Sequence, residues 1–96
     1  MYDRGEGVPQ NYAEAVKWFR LAADQGEAYA QFNLGLVYAY GRGVPQDYVR
    51  AHMWLNLSAA QGNQKAAEDR DDVARRMTSA QIAEAQTLAR EWRPAP

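Results

Sequence analysis

Cysteine is absent from this 96-residue chain and histidine occurs once, at His52. The first absence excludes disulfides, thiolate catalysis and thiolate zinc sites, and the second leaves no other imidazole to complete a metal site. Charge of one sign is also lacking: eleven Lys and Arg against twelve Asp and Glu leave a formal net charge of −1. With no basic cluster to neutralise phosphates, nucleic acid and anionic membranes are not expected partners. Apolar residues make up 47% of the chain, much of that alanine, and no uninterrupted apolar run approaches the ~20 residues of a membrane span. A charged-then-apolar leader is missing from the amino end. These absences predict a soluble chain, cytoplasmic or periplasmic, since the lack of cysteine does not decide the compartment. Catalytic signatures are missing too. No serine or threonine stands near a credible base in sequence, and no paired carboxylates form a recognisable motif, so no catalytic residue, cofactor or metal ligand is expected.

What is present is repetition. Gly5-Glu6-Gly7-Val8-Pro9-Gln10-Asn11-Tyr12 returns as Gly41-Arg42-Gly43-Val44-Pro45-Gln46-Asp47-Tyr48, a period of 36 residues (43 − 7). Tyr2, Ala15, Trp18, Leu21, Ala23, Gln25 and Gly26 recur at the same offset. Self-similarity at this period is the signature of a solenoid, in which each unit buries its apolar face only against its neighbours. Each unit reads as two antiparallel helices. Asn11 with Glu14 forms a capping-box pattern, and Asp47 is the matching N-cap one repeat on. These helices run to Gln25 and Gln61, where Gly26 and Gly62 can close them in the left-handed conformation. A helix over about 27–40 follows, ended by Gly41-Arg42-Gly43 and kept from continuing by Pro45. The Gly-x-Gly elements follow a helix rather than a strand and lack the third glycine of a dinucleotide fingerprint, so they are turn residues.

Past Gly62 the repeat decays. A helix over about 64–77 carries Arg70 and Asp71 where the preceding unit has Leu34 and Gly35, as befits a terminal unit facing water. Its acidic residues are spaced for i,i+4 pairs, Lys65–Asp69, Asp71–Arg75 and Asp72–Arg76, on a solvated face. Thr78 with Gln81 predicts a further capping box, opening a final helix to about Trp92 with an apolar stripe at Ile82, Ala85, Ala89 and Trp92. Ala13, Lys17, Leu21 and Asp24 become Val49, Met53, Leu57 and Ala60 one repeat later. That added apolar face requires a cover, and the final helix is the expected one.

The phrase Ala30-x-x-x-Leu34-Gly35-x-x-Tyr38-x-x-Gly41-x-Gly43-Val44-x-x-Asp47-x-x-x-Ala51-x-x-Trp54 resembles the consensus of the Sel-one-like repeat (SLR) family, relatives of the tetratricopeptide repeat. The resemblance covers residues 1–62, and residues 63–92 resemble the divergent capping segment that follows the last repeat in bacterial members. It implies an all-α fold: a right-handed α/α superhelical solenoid of antiparallel helix pairs, about two SLR repeats plus a C-terminal capping helix. A single domain is expected, with 1–26 a partial repeat, 27–62 a full repeat, 63–92 the divergent terminal repeat and capping helix, and 93–96 a tail. Residue 1 falls inside the first helix of a repeat, so the expected chain is amino-terminally truncated. Family members mediate protein–protein contacts rather than catalysis.

Trp18 and Trp54 occupy equivalent positions on helical spacing and are expected in equivalent, mostly buried environments. His52 is expected at a partly exposed surface. The candidate binding residues are Tyr29, Phe32, Leu36 and Tyr40, spaced i, i+3, i+7 and i+11 on one helix. This stripe differs from Ala30, Leu34 and Tyr38, which the resemblance assigns to packing within the repeat. In the related tetratricopeptide fold the corresponding positions line the concave groove. Asn33 joins them as a polar neighbour, with Gln31 beside it as a second source of selectivity. The expected function is a non-catalytic adaptor that takes a peptide or protein segment on these side chains. The alternative is homodimerisation through the incomplete first repeat, because an uncovered aromatic patch marks an interface.

Overall fold

A computed structural model describes residues 8–95. Five helices follow in chain order, α1 (Val8–Asp24), α2 (Ala28–Tyr40), α3 (Tyr48–Ala60), α4 (Gln64–Ala74) and α5 (Ser79–Glu91), with no strand among the described residues. Successive helices pack on one another as far as α4, whereas α5 packs on α3. The result is an all-helical repeat stack with α3 at its centre.

Local chemistry explains the boundaries. Glu27, Asp47, Asn63 and Thr78 each stand in extended backbone and accept a hydrogen bond from the amide three residues on, satisfying a donor that the first helical turn leaves orphaned. At Thr78 the bond is reciprocal: the Gln81 side chain accepts from the Thr78 amide at 2.9 Å and Thr78 Oγ1 accepts from the Gln81 amide at 3.1 Å, the expected capping box. Gly26, Gly41, Gly43 and Gly62 all have positive φ, from 68° to 102°. At Gly41 this left-handed turn lets its own amide reach the Val37 carbonyl and close α2. Gly5 and Gly7 lie outside the described residues.

The two copies of the Val-Pro-Gln motif do not fold alike. Val44–Asp47 is a loop, tied back by the Asp47 amide donating to the Tyr38 carbonyl at 3.0 Å and by Gln46 Nε2 donating to the Ala39 carbonyl at 2.9 Å. Val8–Asn11 is instead the first turn of α1, so Asn11 lies inside the helix and is not its cap. Proline fits there because the first helical turn has no use for its missing amide hydrogen.

The core follows the repeat. Leu34 of α2 and Leu55 of α3 are fully buried, each stabilising the fold by about 1.5–3 kcal/mol. Gly35 lets these two helices approach closely: a Cβ there would sit 2.7 Å from Leu55 Cγ and 3.2 Å from the Ala51 carbonyl oxygen. A polar joint fastens the helix ends on one side of the stack. Gln61 Nε2 donates to the Gly26 carbonyl and to Gln31 Oε1, both at 2.9 Å, and Ser58 Oγ donates to the Ala28 carbonyl at 2.7 Å.

Three expectations fail for one reason, that burial depends on what a neighbouring helix supplies. Trp54 is only 6% exposed, whereas Trp18 at the same repeat position is 65% exposed. Trp54 lies in the central helix and meets Trp92 of the carboxyl-terminal segment edge-to-face, ring centroids 6.2 Å apart, while α1 packs chiefly on α2. His52 is 4% exposed rather than at the surface, because α2, α4 and α5 all pack on α3. Gln31, expected to serve selectivity, is fully buried in the polar joint and also donates to the Ala23 carbonyl at 3.3 Å.

Candidate functional site

The candidate residues lie along one face of α2, and the structure divides them between two places. Leu36 and Tyr40 line a groove of about 730 Å³ between α2 and α4. Tyr29 and Phe32 sit at the other end of α2, ring centroids 6.2 Å apart, and Tyr29 is 68% exposed. Asn33 is half-buried between the two groups.

The groove has two unlike walls. From α2 come Leu36, Ala39 and Tyr40; from α4 and the turn after it come Asp69, Asp72, Val73, Arg75 and Arg76; Gln46 and Tyr48 contribute from the loop and the start of α3. Three of the five residues of the second wall are the first wall moved by one repeat, since 36 + 36 is 72, 39 + 36 is 75 and 40 + 36 is 76. One helical face is thus presented twice, apolar and aromatic on α2, charged on α4. The residues of α4 were hidden from a search for aromatic stripes because decay of the repeat replaced the apolar side chains. Applying the period to Leu36 and Tyr40 is the signal that finds them.

Charges on α4 are partly compensated in place. Lys65 Nζ lies 3.1 Å from Asp69 Oδ1, as the spacing predicts. Asp72 pairs with Arg75 and Arg70 with Asp71, in place of the expected Asp71–Arg75 and Asp72–Arg76 pairs. Arg70 also donates to Asn56 Oδ1 at 2.9 Å, tying α4 to α3. At the end of α2, the Arg42 guanidinium stands 5.1 Å from the Tyr40 ring centroid and 5.8 Å from that of Tyr12, within cation–π range. Tyr48 Oη accepts from Gln46 Nε2 at 3.3 Å, leaving the phenolic hydrogen free to donate.

Beneath α4 lies His52, whose Nδ1 is buried without a hydrogen-bond partner. Burial holds its pKa below the ordinary value; the Arg70 charge pushes the same way and the Asp71 charge opposes both. Among the described residues no group of three or more His, Asp or Glu side chains is placed to hold a metal ion. No helix there is long and apolar enough to cross a membrane. What the arrangement offers is a surface: an apolar and aromatic wall facing a charged one, with hydroxyl and guanidinium donors at the rim.

Compared with known proteins, residues 1–27 and 28–63 each match the family model described as Sel1 repeat. The two matches divide the chain close to the 36-residue period. No curated protein matches the chain.

Proposed function

The chain belongs to the Sel1 repeat family, whose repeats generally serve as protein–protein interaction modules on a non-enzymatic scaffold, and from that membership we propose that it is an adaptor taking a peptide or protein segment into the groove between α2 and α4. The groove itself is the observation that carries this reading. Its 730 Å³ accommodates several side chains, and Tyr40, exposed at its edge, is the type of residue that anchors interfaces. Leu36 and Tyr40 are the anchors, Asn33 a polar neighbour, and Phe32 with Tyr29 extends the same helix face beyond the groove. On this reading residues 1–26 and 27–62 are successive repeats of one domain, and 63–92 closes the stack while supplying the second wall. Selection of a random peptide library by display on the wild type and on a Leu36→Glu, Tyr40→Ala double variant tests it. Peptides enriched on the wild type and not on the folded variant support the groove; equal enrichment on both refutes it.

A second reading is self-association, favoured by Trp18, Leu21 and Tyr29, all more than half exposed at 65%, 57% and 68%. Large apolar side chains left open in this way favour burial against another surface, and a symmetric homodimer is the simplest closed assembly. Sedimentation at tens of micromolar decides it: a dimer dispersed by Trp18→Glu supports the reading, and a monomer refutes it.

A further inference from the structure

We propose that the occupant of the groove is an acidic segment, one in which an apolar side chain is flanked by aspartate or glutamate. The proposal rests on the groove being the binding surface and adds the chemistry of the partner. The floor and the α2 wall, Leu36, Ala39 and Val73, select an apolar side chain.

The rim selects charge. Of the two carboxylates lining the groove, Asp69 has Lys65 at 3.1 Å and Asp72 has Arg75, so each carries its own cation. Arg76 lines the same groove and takes part in no ion pair among the described residues. The Arg42 guanidinium, over the Tyr40 ring, has no carboxylate partner among them either. One uncompensated guanidinium, that of Arg76 after α4, therefore lines the groove against no uncompensated carboxylate, and a second, that of Arg42, stands over the Tyr40 ring outside the lining. A guanidinium presents several donors and no acceptor, and its strongest partner is a carboxylate. The Tyr48 hydroxyl, already accepting from Gln46, adds a donor of the same preference. A basic segment would find both carboxylates engaged and the like charge of Arg76 in its path, a repulsion that excludes wrong partners.

The experiment is display selection from a random dodecapeptide library on the wild type and, in parallel, on Arg76→Glu and on an Arg42→Glu, Arg76→Glu double variant. Circular dichroism and thermal melts establish that the variants fold, which is expected because both side chains are exposed. The wild type is expected to enrich Asp and Glu next to Leu, Phe, Tyr or Trp relative to the input library, and the double variant to reverse that bias towards Lys and Arg. The best wild-type peptide, measured by fluorescence polarisation, should bind Arg76→Glu about tenfold more weakly, the loss expected for one charge-assisted hydrogen bond. Enriched peptides without an acidic bias, or a bias unmoved by charge reversal, overturn the proposal and leave the groove standing. No enrichment above a bead control overturns both.

Discussion

Gly35→Ala adds one methyl group where α2 and α3 approach each other closely. Its Cβ would lie 2.7 Å from Leu55 Cγ, 2.9 Å from Leu55 Cδ2 and 3.2 Å from the Ala51 carbonyl oxygen. Neither neighbour can yield freely. Leu55 is fully buried and has no solvent to swing into, and the Ala51 carbonyl is held in the backbone of α3. Overpacking of this kind costs about 1–3 kcal/mol, against which alanine gains about 1 kcal/mol over glycine in helix propensity. The expected net loss is up to about 2 kcal/mol, and a loss of 1 kcal/mol lowers the Tm by about 4–8 °C in a domain of this size. Urea denaturation with a double-mutant cycle separates the two contributions. Leu55→Ala alone should cost about 2–5 kcal/mol, and in its presence the methyl added at Gly35 occupies vacated space, so the double variant should be more stable than the sum of the singles by about 1–3 kcal/mol. Strictly additive behaviour in the cycle would refute the close approach of α2 and α3.

Trp54→Ala should cost about 3–5 kcal/mol as a large-to-small core change, whereas Trp18→Ala at the same repeat position should stay within about 0.5 kcal/mol in dilute monomer; equal losses on denaturation would contradict the different surroundings of the two rings. His52 has its pKa lowered by burial, so the neutral form is favoured in the fold. Its contribution is complete above the unfolded value of about 6.5 and is lost as the pH falls from there towards the lower folded value. Urea midpoints between pH 7.5 and pH 5 should therefore fall more steeply for the wild type than for His52→Leu, and identical slopes would count against a buried neutral imidazole.

Local signals in the sequence described the framework well and the surroundings poorly. A glycine requiring positive φ announces itself by its place after a helix, and a Thr-x-x-Gln cap by its spacing, because each is settled within a few residues of chain. Burial is not local. Trp18 and Trp54 share a repeat position and differ widely in exposure, 65% against 6%, because Trp54 sits in the central helix beside Trp92. His52 and Gln31 looked like surface residues for the same reason: the helices covering them come from elsewhere in the chain. The groove was half legible. Leu36 and Tyr40 were found as an aromatic and apolar stripe, while the α4 wall, at the same positions one period later, had lost the hydrophobicity by which such stripes are recognised.

The central claim is that the groove between α2 and α4 binds a peptide, and the direct test is polarisation of one display-selected peptide against two single variants, Tyr40→Ala and Tyr29→Ala. Both side chains are similarly exposed, at 62% and 68%, so neither substitution should disturb the fold, but only Tyr40 borders the groove. Loss of an anchoring tyrosine costs about 2 kcal/mol or more. Tyr40→Ala is therefore expected to weaken binding by about thirtyfold, and Tyr29→Ala by less than about threefold. The reverse order, or equal losses, would contradict the groove as the binding site.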